Sequence, residues 1–296
     1  MIRSVEARET VVIGNPNAGR NRDKDRLKRL AEILRSGGLD VEVWPTERPE
    51  HATELATLAG SRLVVAAGGD GTINEVVNGL ETDATLGILP LGTANVMARE
   101  LGLPLDPEAA CKRILAGKER RIDVGVATNQ EGTERRFTCM AGLGFDAHVV
   151  NEVTPGLKRY LKMLAFPLAA LKVYLEGDLP PLHVAHGDEA YKTQFIIIAN
   201  GQYYGGEFKV AEDAALATGS LEVVLVDRVG SLLRADILTR ILARRPLDRS
   251  MRSFAAKADL RVTSPGAQVP VQLDGEVWGY LPMSFHIEPG VLKVVR

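Results

Sequence analysis

Cysteine is nearly absent. The 296-residue chain holds two, Cys111 and Cys139, too few for a disulfide framework. No Cys/His cluster has the spacing of a zinc site, and the histidines at 51, 148, 183, 186 and 286 are scattered. Only His183 and His186 stand close together, in a turn-like segment, and all five read as structural. A basic excess is also missing: 36 Lys and Arg against 38 Asp and Glu give a net charge of −2. That removes the main argument for a nucleic-acid partner. Long hydrophobic runs are missing too. The longest stretch without a charged residue, Ala84 to Ala98, is broken by Gly87, Pro90 and Gly92 and is too short to span a bilayer. Met1 to Thr10 is charged throughout, unlike a signal peptide. The expected location is the cytoplasm, with contact at a membrane surface left open.

What is present is an ordinary globular mixture, 45% hydrophobic and 25% charged, long enough for two domains. The first 120 residues alternate strand-like and helix-like segments. Thr10–Ile13, Leu39–Trp44, Leu63–Ala67 and Leu86–Leu89 read as strands. Asp23–Ser36, Pro49–Ala59, Ile73–Leu80 and Ala94–Leu101 read as helices. Such alternation predicts parallel β-α-β units in a three-layer α/β domain, with ligands at the carboxyl ends of the strands. After about Asp123 the texture becomes β-rich. Strands are expected at Val124–Ala127, Arg136–Met140, Phe195–Ala199, Leu221–Val226, Ala258–Val262, Val269–Leu273 and Ser284–Ile287. Helical insertions are expected at Leu157–Leu175 and Ser231–Arg245. The expected fold is thus α/β plus all-β: an N-terminal nucleotide-binding domain over 1–122, and a β-sandwich-like domain over 123–289. Trp44 and Trp278 read as packing residues.

Three loops carry the chemistry of the first domain. Gly68-Gly69-Asp70-Gly71-Thr72-Ile73-Asn74-Glu75 lies between a strand and a helix. Its glycines let backbone N–H groups approach phosphate oxygens, and the helix start adds a positive end. Asp70 places a carboxylate where a Mg²⁺ on the phosphates could be held. A tight turn is the plain alternative. Asn15-Pro16-Asn17-Ala18-Gly19-Arg20 shapes a second turn, with Arg20 able to reach an anion. Leu91-Gly92-Thr93-Ala94-Asn95 is the third, offering the Thr93 hydroxyl and the Asn95 amide, although Thr93 could instead cap the next helix. No Gly-Lys-Ser/Thr follows any loop, so this is not a Walker A sequence. In the second domain, Asp274-Gly275-Glu276 places two carboxylates at i and i+2, which share a face if they lie on one strand. Phosphoryl transfer wants such a group near the attacking hydroxyl, and crowded carboxylates raise one another's pKa. The alternative is a hairpin turn on Asp-Gly.

Together these motifs resemble the diacylglycerol kinase catalytic-domain family, which includes bacterial soluble lipid kinases and sphingosine kinases. The resemblance continues through Arg121-Ile122-Asp123-Val124-Gly125, Ala141-Gly142-Leu143-Gly144-Phe145-Asp146-Ala147, Asn200-Gly201-Gln202-Tyr203-Tyr204-Gly205-Gly206 and Leu273-Asp274-Gly275-Glu276. It implies an ATP-dependent kinase acting on a lipid hydroxyl, with Mg²⁺. Asn15, Gly19, Arg20, Thr46, Gly68 to Glu75, Thr93 and Asn95 would bind the nucleotide. Glu276 would be the general base, with Asp274 beside it. The last strand, about 290–296, would pair back onto the first domain. One departure stands out. The family often carries an Asp that holds a structural Mg²⁺ with nearby backbone carbonyls. Here Thr218 occupies that place, leaving the carbonyls of Ala215 and Ser220 to be helped by water or Asp213.

A lipid substrate implies a membrane surface as partner. Leu157–Leu175 is apolar on one side with Lys158, Arg159, Lys162 and Lys172 nearby. Arg234–Arg261 carries eight Arg and Lys against three Asp, and such clusters favour anionic bilayers. A core helix and a solvated face are the plain alternatives. The oligomeric state is open, a homodimer being one candidate. Two rival functions share the motifs: an NAD kinase-like enzyme, and a silent lipid-binding regulatory protein. Acceptor choice is not legible.

Overall fold

The computed structural model describes residues 8–16, 25–144, 147, 180–226 and 252–296. The helices expected over Leu157–Leu175 and Ser231–Arg245 lie outside them, as do Gly19, Arg20, Phe145, Asp146 and His148. The basic stretch Arg234–Arg261 is described only from Arg252 on. The chain divides into two units, Met1–Asp123 with Gly290–Arg296, and Val124–Pro289.

The first unit is a parallel α/β layer structure. Strands β1 (Glu9–Gly14), β2 (Asp40–Pro45), β3 (Leu63–Gly68) and β4 (Thr85–Pro90) stand in the order β2-β1-β3-β4. Val11 to Ile13 and Val64 to Ala67 are wholly buried, as strands covered on both faces must be. Helix α1 (Arg26–Ser36) places Leu27, Leu30, Ala31 and Leu34 on one face. Helix α5 (Pro107–Ala116) adds Ala110, Cys111 and Ile114, and both close over Val12, Val65, Ala67 and Leu89. Helix α5 is absent from the sequence expectation although its signals are present in the chain: Asp106 accepts the Ala109 N–H at 2.8 Å and Pro107 fills the first turn.

Helices α2 (His51–Ala59) and α3 (Asp70–Gly79) pack on each other and against β1 and β3. They touch so closely that a Cβ on Gly79 would strike the Thr53 carbonyl. The Thr53 hydroxyl donates to the Glu75 carbonyl at 2.9 Å and the Thr57 hydroxyl to the Gly79 carbonyl at 3.2 Å. Helix α2 begins two residues later than expected because Glu50 adopts φ 62°, outside the helical region. The returning C-terminus adds a parallel edge through Lys293 and Val294, opposite Thr85 and Leu86. Asp123 accepts the Gly290 N–H at 2.7 Å, and Arg121 donates to the Gly290 carbonyl at 3.0 Å.

The second unit is an antiparallel β-sandwich. One sheet has the order β14-β13-β10-β7-β16-β17. Its strands are β7 (Met140–Gly144), β10 (Phe195–Ala199), β13 (Leu221–Val226), β14 (Arg252–Ala256), β16 (Pro270–Leu273) and β17 (Glu276–Tyr280). The other sheet contains β8 (Leu182–His186), β9 (Glu189–Thr193), β15 (Leu260–Thr263) and the first part of β18 (Met283–Val295). Leu182, Val184, Leu260, Val262 and Phe285 meet Leu143, Ile196, Ile198, Val223 and Val271 in one core. Burying each such side chain stabilises the unit by about 1.5–3 kcal/mol. A β5 (Glu119–Thr128) to β6 (Glu134–Phe137) hairpin pairs Gly125 with Phe137.

His183 and His186 lie on β8, not in a turn. Three residues apart on a strand, they point to opposite faces. His186 stacks on Phe254 at 5.3 Å, and no metal-ligating cluster exists among the described residues. Trp44 is held at the surface rather than in the core. The Arg62 guanidinium lies 4.9 Å over its ring, and its N–H donates to Glu42 at 3.1 Å.

Burial among α1, α5 and the sheet pushes the Cys111 thiol up to about 11, and Glu108 and Asp106 add to the shift. An unfolded thiol titrates near about 8.5. The unfolded chain therefore releases this proton first, so stability held below pH ~8.5 is lost as pH rises towards the folded value. Urea midpoints measured across this window should fall with a steeper slope for the wild type than for Cys111→Ala. Equal slopes would contradict the shift.

Candidate active site

In the first unit the expected nucleotide loops gather at one edge. Strand order β2-β1-β3-β4 reverses between β1 and β3, and ligands of open α/β sheets settle outside the carboxyl ends at such a point. Asn15 follows β1, and its N–H donates to the Ala67 carbonyl at 3.2 Å. Thr46 follows β2, its N–H donating to the Gly14 carbonyl at 2.9 Å. Gly68 ends β3. Asp70, Gly71 and Thr72 already form the first turn of α3, with Gly69 as its cap and no side-chain cap bond. The first N–H groups of a helix lack partners within it, so this turn suits an anion.

The third loop is built against the first. The Leu91 N–H donates to the Gly68 carbonyl at 2.9 Å. A Cβ on Gly92 would lie 2.5 Å from the Gly69 Cα, so glycine there lets two backbones touch. A Cβ on Gly68 would lie 2.5 Å from the Thr72 hydroxyl oxygen. Helix α4 (Val96–Glu100) starts after Asn95, which sits in the left-handed region at φ 50° and makes no side-chain cap. Thr93 is therefore not the cap; it is exposed in the loop. The Asn95 amide turns inward, accepting the Gly92 N–H at 2.9 Å and donating to the Gly92 carbonyl at 3.1 Å. Asp70 Oδ1 accepts the Met97 N–H at 3.3 Å, tying α3 to α4. Glu75 Oε2 accepts the Ala52 N–H at 3.1 Å, tying α3 to the start of α2. Ile73 is buried under the loop, and Asn74 is buried with its side-chain oxygen accepting from the Asn78 amide at 3.2 Å. Glu75 and Asn95, both expected at the ligand, here make protein hydrogen bonds that hold the loops together.

In the second unit Asp274 and Gly275 form the two-residue connection of the β16–β17 hairpin, with Leu273 opposite Glu276. Their φ values of 49° and 90° are those of a primed turn. Asp274 is thus off the strand, and the shared face expected for the two carboxylates does not exist. Asp274 Oδ2 accepts the Thr138 N–H at 2.7 Å and the Thr138 hydroxyl at 2.9 Å. Its Oδ1 accepts the N–H groups of Cys139 and Met140 at 2.8 and 3.0 Å. The buried Asn200 amide donates to the Thr138 carbonyl at 2.8 Å, and Gln272 accepts the Gly275 N–H at 2.6 Å. The role of Gln272, wholly buried beneath the turn, was missed in the sequence; its position two residues before the Asp-Gly pair is the signal that could have found it. Glu276, by contrast, is exposed at the start of β17.

The residues expected around a structural metal form a different arrangement. Thr218 Oγ1 donates towards the carbonyls of Ala215 and Ser220, at 3.2 and 3.1 Å, and the Ser220 hydroxyl donates to Thr218 Oγ1 at 3.2 Å.

Asp274→Ala should leave three N–H groups without their carboxylate acceptor, which costs about 1–3 kcal/mol for each group left buried and unpaired. Urea unfolding should show a loss of at least ~2 kcal/mol. A midpoint equal to the wild type would refute the clamp.

Comparison with known proteins places these features in a family. The diacylglycerol kinase catalytic domain matches residues 9–127. The YegS C-terminal NAD kinase beta sandwich-like domain matches residues 139–296. A diacylglycerol kinase of Bacillus subtilis (strain 168) is 28% identical over 93% of this chain and 91% of its own. That of Staphylococcus aureus (strain MRSA252) is 26% identical over 93% and 88%. A crystal structure of a diacylglycerol kinase from Bacillus anthracis str. Sterne superposes with a TM-score of 0.79 at 23% identity, over 99% of this chain and 98% of that one. An NAD kinase from Archaeoglobus fulgidus shares the fold more loosely, with a TM-score of 0.54 at 13% identity over 97% and 93%. With its two halves matched in order by these two domains, the chain belongs to the diacylglycerol kinase catalytic-domain family.

Proposed function

We propose that this protein is a kinase that transfers the γ-phosphoryl group of ATP to a lipid hydroxyl, diacylglycerol or a related lipid. The observation that carries the reading is the uncapped first turn of α3, Asp70 to Thr72, set at the strand switch point and pressed against Gly92. It stands in a chain whose relatives of nearly equal length are named diacylglycerol kinases.

In this reading the N–H groups of Gly71 and Thr72 receive phosphate oxygens, and the helix start favours their charge. Thr46 and Thr93, on neighbouring loops of the same edge, line the nucleotide. Asn15 follows β1; Gly19 and Arg20, which come next in the sequence, would complete the cradle. Asn95, Asp70 and Glu75 fix the loops to one another, so that phosphate is met by a preset surface; such preorganisation is most of what phosphoryl transfer requires. The carboxylate of Asp70, a hard oxygen donor beside this turn, fits a Mg²⁺ bound with the nucleotide. That ion would neutralise phosphate charge when bound. Glu276 takes the proton of the attacking hydroxyl. Asp274 holds the hairpin that presents Glu276 and, with every described acceptor direction used on backbone and hydroxyl donors, serves as a positioning residue.

A kinase with a water-insoluble acceptor works at a bilayer, so reversible binding to a membrane surface is part of the proposal. No helix among the described residues is long and apolar enough to cross one.

The test is a transfer assay with γ-labelled ATP and Mg²⁺ over diacylglycerol, phosphatidylglycerol, sphingoid base, ceramide and NAD. Label should enter a lipid. Label in NADP alone would move the protein to the NAD kinase branch, and label in none of the five would make it a silent relative.

A further inference from the structure

We propose that the turn leading into β13 is closed by hydroxyl groups and is independent of any divalent cation. The resemblance of this chain to its family implies a carboxylate at position 218, holding Mg²⁺ together with backbone carbonyls. The residues present do not fit that ion. Around Thr218 Oγ1 the donor set is two carbonyls and two hydroxyls, all neutral. Of the acidic residues nearest in sequence, Glu212 and Asp213 are exposed and Glu222 is buried on β13, paired in register with Ala199 and Ala255; no cluster of three acidic, His or Cys side chains occurs among the described residues.

Mg²⁺ gives up its water reluctantly and is usually bound through carboxylates or phosphates. A site without charge offers little to replace that hydration. The hydrogens also have a better use. The Ser220 hydroxyl donates to Thr218 Oγ1, and the single Thr218 hydrogen is shared between the Ala215 and Ser220 carbonyls. A hydrogen directed at those carbonyl lone pairs occupies the electrons that a cation would need. The backbone supports the same closure: the Ala217 N–H donates to the Ala215 carbonyl at 2.8 Å and the Ala214 N–H to the Ala211 carbonyl at 3.2 Å. Threonine at 218 thus does by hydrogen bonding what a carboxylate and an ion would do by charge. Leu221 follows directly, buried in the sandwich core, so the turn fixes the entry of β13.

The inference is independent of the kinase reading, because it is tested on the full chain without nucleotide or lipid. Thermal midpoints are measured in EDTA and in millimolar Mg²⁺ for the wild type, Thr218→Val and Thr218→Asp. The wild type should melt at the same temperature in both. Thr218→Val, which keeps the shape and loses the hydroxyl, should melt lower in EDTA by about 2–4 °C, the shift expected for one hydrogen bond in a unit of this size. Thr218→Asp places a charge against two carbonyls; it should melt lower in EDTA and recover with Mg²⁺. A wild-type rise with Mg²⁺ that Thr218→Val abolishes would overturn the proposal. So would a Thr218→Val midpoint equal to the wild type in EDTA, or a Thr218→Asp protein indifferent to Mg²⁺.

Discussion

The carboxylate of Asp274 receives the N–H groups of Thr138, Cys139 and Met140 and the Thr138 hydroxyl. In doing so it joins the β16–β17 hairpin to the start of β7. Asn200 fastens the same segment from the end of β10, through the Thr138 carbonyl. Three strands of one sheet therefore converge on a short backbone segment that would otherwise expose unpaired donors. The left-handed turn at 274–275 follows from this anchoring. It brings the chain round so that Glu276, the next residue, begins β17 at the surface. Two carboxylates two residues apart are thus separated by environment: one is saturated by fixed donors, the other stands at the solvent edge.

The first unit repeats the principle with different chemistry. Its loops are preset by contacts that leave little freedom: Gly92 on Gly69, Asp70 on the start of α4, and Glu75 on the start of α2. Asp70, Glu75 and Asn95, expected at the ligand, also act as struts between the loops. This suits a reaction in which the protein positions charge and performs little covalent chemistry of its own. On the proposed kinase reading, these struts would leave the phosphate to backbone N–H groups, which are fixed in direction.

Much of the fold was legible. Apolar runs ending in glycine located β1 and β3, Leu86–Leu89 located β4, and the alternation of strand-like with helix-like segments indicated the α/β class, as the β-rich texture after Asp123 indicated the sandwich. What escaped had a physical reason in each case. The β8–β9 hairpin reads as polar because its outer face carries His183 and Lys192, though Leu182 and Val184 alternate inward. The Gly-Gly-Asp-Gly-Thr segment looked like a loop before a helix, since glycine disfavours helix interiors; at the first turn that penalty is small and α3 starts there. The roles of Asp274, Asn95 and Glu75 were not readable, because each depends on a partner brought near by the fold and distant or silent in sequence.

The proposed kinase divides its labour between Asp274, which positions the hairpin, and Glu276, which takes the proton. That division is tested most directly by the single-turnover rate of phosphoryl transfer from γ-labelled ATP to the acceptor that the wild type uses, in Glu276→Gln. The rate should be lower by at least ~100-fold, the usual contribution of a general base, with the melting midpoint and ATP affinity unchanged. A Glu276→Gln protein that transfers phosphate at the wild-type rate would contradict it.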